Sequence, residues 1–191
     1  MKRTEIVLLL TGFIAMLLRL IDKYTGANIL IILSMTGLAS MYLFLGFWLF
    51  NNIRLRDILK SESYNQINTY SILVSIFSCF NLSLLVVGIY FKFMRWPGAN
   101  LFLNIGLIAS IPVWIVLLIK LFGKKSKFTS KLLIRTSVIM FWSVIMLFTS
   151  SETLLQLKWR NYPEVIEAER NQIKIDSQQN QRLEENETPT N

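Results

Sequence analysis

Five apolar stretches, beginning near Ile6, Asn28, Tyr70, Asn100 and Thr136, each continue for roughly 17 to 23 residues, the length a helix needs to cross about 30 Å of hydrocarbon. Inside a bilayer the backbone finds no water, so a spanning stretch must satisfy its own N–H and C=O groups as helix. The pattern predicts an all-α integral membrane protein with about five transmembrane helices, approximately 5–21, 28–50, 70–91, 100–122 and 136–155. Composition agrees: 53% hydrophobic against 17% charged residues is too apolar for the surface of a soluble domain of 191 residues. Residues 1–157 form the transmembrane domain, and 158–191 form a polar tail. In that tail Pro163 suits the start of a short helix, and the composition from about Ser177 is that of a disordered segment.

Basic residues gather at the ends of the apolar stretches, where they reach headgroups and set orientation. Five helices put Lys2, Arg3, Arg54, Arg56, Lys60, Lys120, Lys124, Lys125, Lys127, Lys131 and Arg135 on one face. Only Arg19, Lys23, Lys92, Arg95, Lys158 and Arg160 fall on the other. The positive-inside tendency then places the amino terminus in the cytoplasm and the tail in the periplasm of a bacterial inner membrane. From Glu152 onward lie eight of the twelve acidic and five of the twenty basic residues, so the excess of positive charge belongs to the membrane part, and the formal charge of +8 does not imply a nucleic-acid partner. The first stretch follows Lys2 and Arg3 as a signal peptide would. It passes into Arg19, Asp22 and Lys23 in place of a small-residue cleavage site, so an uncleaved helix is expected.

The chain has no histidine and one cysteine, Cys79, inside an apolar stretch. An intramolecular disulfide, a zinc site and a Ser-His-Asp triad are thereby excluded within it. No Gly-rich phosphate loop and no pair of carboxylates within the apolar stretches is visible; Glu152, near the end of the fifth, reads as solvated or paired with Lys158. No cofactor is implied, and the chain is expected not to be an enzyme.

Two connections read almost alike. Leu18 to Asn28, "LRLIDKYTGAN", aligns with Phe91 to Asn100, "FKFMRWPGAN", once Asp22 is taken as an insertion. Arg19 then matches Lys92, Lys23 matches Arg95, Tyr24 matches Trp96, and Gly26-Ala27-Asn28 matches Gly98-Ala99-Asn100. Two helices per copy leave both copies in one orientation, so the first four helices are expected to be two parallel-repeated hairpins. Pro97 disfavours helix at Trp96, Gly98 supplies backbone freedom, and the aromatic suits headgroup depth.

The second turn, through Phe91, Lys92, Trp96, Pro97, Gly98 and Ala99, resembles the first hairpin of GldL, the membrane motor subunit of gliding motility and type IX secretion in Bacteroidota, and of related small membrane proteins. The resemblance covers the second hairpin and implies a shared type of membrane hairpin. GldL-type subunits carry two helices with an acidic residue in the second, whereas this chain has five apolar stretches and no carboxylate inside the second or fourth.

Arg19, Lys23, Lys92, Arg95 and Trp96 are the candidate contact to lipid headgroups, an anion or a partner, with snorkelling helix ends as the simpler use. Ser71, Ser75, Cys79 and Ser83 recur every four residues in the third stretch, and Gly106 and Ser110 do so in the fourth. Such stripes of small residues let helices pack closely, and Asn81 and Asn104 add interhelical hydrogen-bonding groups. The expected function is assembly or partner contact within an envelope complex, with the bilayer and a membrane protein or second copy as partners. The alternative is a small transporter or channel with a polar route between the third and fourth helices.

Overall fold

In the computed structural model, residues 2–21, 25–64, 67–123, 127–160, 162–168, 170–172 and 175 are described. They form α1 (Lys2–Ile21), α2 (Thr25–Phe50), α3 (Thr69–Met94), α4 (Ala99–Gly123), α5 (Lys127–Phe148) and α6 (Ser151–Lys158), with no strand among them. Five of these, α1 to α5, are long and apolar enough to cross a membrane. The chain divides after Ser150 into two compact units.

In the first unit α3 is the central column. It packs against α2, α4 and α5, while α1 lies mainly on α2. Of the residues in its spanning window 61% are buried, against 22% for α4 and 28% for α1 and α5, so α3 alone has little face left for lipid. Consecutive helices run antiparallel. One end of the bundle therefore collects the start of α1, the end of α2, the start of α3, the end of α4 and the start of α5, here termed the basic end.

The close approach of α3 to α4 depends on glycine. A Cβ at Gly88 would meet Leu103 Cδ2 and Cγ at 2.9 Å and its backbone N at 3.1 Å. Three residues along each helix, just under one turn, a Cβ at Gly106 would meet Leu85 Cδ2 at 2.6 Å. Leu85 and Leu103 are themselves fully enclosed, so each leucine knob fills the space that the facing glycine leaves. Pro112 lies within α4 without ending it.

The turn from α3 to α4 is a Schellman motif in an unusual residue. Arg95 adopts the left-handed conformation at φ 61°, where glycine is the common choice. The Arg95 N–H donates to Lys92 O and the Trp96 N–H to Phe91 O. Trp96 folds back onto Phe91 and Tyr90, with ring centroids at 5.0 Å and 5.9 Å, which supplies the apolar contact such a motif carries. Pro97 and Gly98, at φ 79°, then release the chain into α4. In the first turn, Asp22, Lys23 and Tyr24 lie outside the described residues.

The polar connection between α2 and α3 holds two short 3-10 turns, Leu55–Asp57 and Ser61–Tyr64. It is tied down at Tyr64, whose hydroxyl accepts from Trp48 Nε1 at 2.8 Å and donates to Ile58 O at 2.6 Å. On this exposed segment a hydrogen bond from Lys60 holds the Asp57 carboxyl below its ordinary pKa.

The fifth helix corrects the sequence-based bounds at both ends. It begins at Lys127 and not near 136, because the lysine and arginine that depress hydropathy there, Lys131 and Arg135, are part of the helix. It ends at Phe148 and not near 155; Ser150 precedes a new helix whose first turn carries Glu152, an arrangement that favours a start. In the second unit residues 163–168 are helical, as Pro163 suggested. Glu152 accepts hydrogen bonds from Arg170; the Lys158 side chain, its expected partner, lies outside the described residues. The tail beyond 175 lies outside the described residues.

The α3–α4 seam gives a graded test. Replacing Gly88 by alanine should destabilise the bundle by about 1–3 kcal/mol, because the clash includes a backbone atom. The same change at Gly37, where a Cβ meets only Leu8 at 3.5 Å, should be close to neutral. Equilibrium unfolding in mild detergent with added dodecyl sulfate would rank the two variants.

Candidate functional site

A polar cluster inside the bundle was not anticipated from sequence. Glu5, in the first turn of α1, is 5% exposed although it is a carboxylate. Its Oε1 accepts from the buried Tyr42 hydroxyl of α2 at 2.9 Å, and its Oε2 pairs with Arg135 Nη2 of α5 at 2.7 Å. Arg135 also lies over the Phe50 ring, with its Cζ at 5.6 Å from the centroid. Three helices thus meet at one carboxylate whose two oxygens are both engaged. An isolated carboxylate in this position would be costly, whereas one answered by a guanidinium and a phenol is held.

The cluster borders a cavity of about 410 Å³ between α1 and α5, lined by Glu5, Tyr42, Lys131 and Arg135 on its polar side and by Leu9, Val138 and Ile139 among its apolar residues. A smaller apolar cavity of about 70 Å³ shares Leu9, Val138 and Ile139 and continues to Phe13, Met16 and Trp142. Phe13 and Trp142 close the far end edge to face at 4.9 Å. The two helices are therefore joined at two points with a slot between them.

The residues expected from sequence to meet headgroups divide. Arg19 and Lys92 are buried, at 4% and 6% exposure, which corrects their reading as cations reaching out of the bundle. Lys92 turns inward because a partner is there: its Nζ donates to Asn100 Oδ1 at 2.7 Å across the hairpin. Arg95 is half-buried in the turn, Trp96 is exposed, and Lys23 lies outside the described residues.

The stripes of small residues face different neighbours. Ser75 accepts from Asn51 Nδ2 at 3.0 Å, and Cys79 stands where a Cβ on Gly46 would meet its sulfur at 2.6 Å, so this stripe is turned to α2. Ser71 is half-buried at the start of α3, and Ser83 is buried further along. Gly106 and Ser110 face α3, where Asn81 Nδ2 donates to Ser110 Oγ at 2.6 Å and Ser110 in turn donates to Gly106 O. Asn104 is not part of this group; it lies on the exposed side of α4. Asn81 thus faces the α3–α4 seam and Asn104 does not, and the ground between α3 and α4 holds Leu85 and Leu103.

Fold and side chains together define an all-α, multi-pass membrane protein. Comparison with family models, curated proteins and solved structures finds no match.

The ion pair should behave as a unit. Glu5→Ala, which leaves the half-buried Arg135 against Phe50 without its carboxylate, should cost about 3 kcal/mol. The double variant Glu5→Met with Arg135→Met should recover most of that loss in the same unfolding measurement.

Proposed function

We propose that this chain is a non-catalytic multi-pass protein of a bacterial inner membrane, serving in assembly or partner contact within an envelope complex. The observation that carries the reading is Asn104. It sits about 7.5 Å along α4 from Ala99, on an exposed side otherwise made of Leu101, Ile105, Ile108, Ile111 and Ile115. A carboxamide facing hydrocarbon is costly, and polar side chains in membrane helices are usually met by another helix. A second transmembrane helix, from another membrane protein or a second copy, would cover it. The non-catalytic part of the reading is supported by Glu5, whose oxygens are both taken by Tyr42 and Arg135 and so are not offered to a substrate. The carrier alternative loses support from the close packing at Gly88 and Gly106.

The same reading takes the α1–α2 and α3–α4 hairpins as copies of one unit. Its support is that matched positions share environments: Arg19 with Lys92, Ala27 with Ala99, and Ile31 with Leu103 are all buried pairs. The likeness of the second hairpin to GldL-type hairpins fits such a lineage. The amino terminus is assigned to the cytoplasm and the tail to the periplasm, on the strength of the basic residues at the end that carries Arg3, Lys131 and Arg135.

Two measurements test this. In a Cys79→Ala background, Ile108→Cys should form oxidative adducts with another chain in native membranes, and adding Asn104→Leu should reduce their yield about five-fold. A chain that remains single with both faces of α4 sampled would remove the assembly reading. For orientation, cysteines introduced at Tyr24 and Trp96 should both react with a membrane-impermeant maleimide added to whole cells. One at Asn52 should stay unlabelled until the cells are opened.

A further inference from the structure

We propose that the slot between α1 and α5 is a binding site for one anionic phospholipid, with the phosphate against Lys131 and Arg135 and an acyl chain laid along Leu9, Val138 and Ile139 towards Phe13 and Trp142. The slot has the form of such a ligand: a chamber with a polar side at the basic end, beside a smaller apolar cavity with which it shares Leu9, Val138 and Ile139. Its main chamber, about 410 Å³, lies within the range of sites that enclose small molecules. The mouth opens sideways, because Ile6 and Leu10 of α1 and Ile134 and Val138 of α5 are exposed along its rim. In a spanning bundle that opening meets lipid.

Charge selects the headgroup. The carboxylate in the slot, Glu5, is already neutralised by Arg135, so the charge left over among the lining residues is the positive one of Lys131. Lys131 stands one helical turn before Arg135 and therefore on the same face of α5. The guanidinium has five donors in a planar fork; Nη2 serves Glu5, and the others remain to reach a phosphate oxygen. A lysine and an arginine one turn apart form a two-point clamp for a phosphate monoanion, which a zwitterionic headgroup would satisfy less well because it brings its own cation towards Lys131. This site stands on α1 and α5 and does not depend on a partner at α4.

The full chain, with Trp142 kept and Trp48, Trp96, Trp114 and Trp159 changed to phenylalanine, would be reconstituted in vesicles containing phosphatidylcholine and phosphatidylglycerol, one of the two carrying brominated acyl chains. Brominated phosphatidylglycerol should quench Trp142 with about five-fold higher apparent affinity than brominated phosphatidylcholine. Lys131→Gln, which leaves the Glu5–Arg135 pair intact, should bring the ratio close to one. Val138→Phe, which fills the channel, should reduce quenching by both lipids. Equal quenching at the outset, or a preference unchanged by Lys131→Gln, overturns the proposal. Should the single-tryptophan chain not fold, native mass spectrometry of the unmodified protein gives the same decision: phosphatidylglycerol retained through detergent by the parent and lost in Lys131→Gln supports it, and equal retention by both overturns it. A disulfide-linked dimer formed through Leu10→Cys in vesicles, in place of lipid contact, would give the slot to a second copy and also overturn it.

Discussion

A carboxylate placed in hydrocarbon near a helix end must be answered, and the answer at Glu5 comes from two other helices at once. α1 lies on the outside of the bundle, packed mainly on α2. Its connection to α5 is made at two places only among the contacts described, the Phe13–Trp142 edge contact and the Glu5–Arg135 pair. The aromatic contact is permissive in rotation, since edge-to-face rings tolerate a range of angles. The ion pair is not, because the guanidinium and the phenol approach different oxygens of one carboxyl. The rotational setting of α1, and with it the width of the slot beside it, follows from that geometry.

The rest of the bundle is held by shape. Along α3 the neighbours alternate between knobs and gaps: Gly46 against Cys79, Leu103 against Gly88, Leu85 against Gly106. In a bilayer there is little hydrophobic gain in bringing two apolar helices together, so close van der Waals contact and a few internal hydrogen bonds carry the association. The bonds from Asn51, just past the end of α2, to Ser75 of α3, from Asn81 of α3 to Ser110 of α4 and from Trp114 of α4 to Ser137 of α5 are of that kind. The result is a core that is polar at isolated points and otherwise filled by apolar side chains, leucine the commonest and methionine and alanine frequent among them.

What could be read in advance followed from length and chemistry that act locally. Five spans are legible because backbone hydrogen bonding in lipid allows no alternative for an apolar stretch of that length. The second turn is legible because proline and glycine restrict or free the backbone wherever they stand. The polar cluster was not legible, and the reason is specific. Glu5 stands one residue before the apolar stretch at Ile6 and so resembles an ordinary solvated end; Arg135 is the last cation of a basic connection; Tyr42 is one aromatic among several. Only the folded arrangement brings the three together. A signal did exist in the acid itself, since Glu5 is one of only four acidic residues before Glu152 and begins a membrane helix. Asn104 was similarly open to a reading by phase, as it shares a helical face with Leu101, Ile105 and Ile108, whereas Asn81 shares one with Ser78 and Leu85.

The separation of Glu5 from Arg135 along the chain carries a consequence for biogenesis. A ribosome delivers α1 before any other span and α5 after the other four, so the newly inserted first helix must wait with its acid not yet paired to Arg135 while three further spans emerge. During that interval the carboxyl lacks the Arg135 guanidinium, and a position nearer the headgroups would lower its cost. Arrival of the last span then closes the bundle like a clasp, so that topology is complete before the tertiary structure is locked.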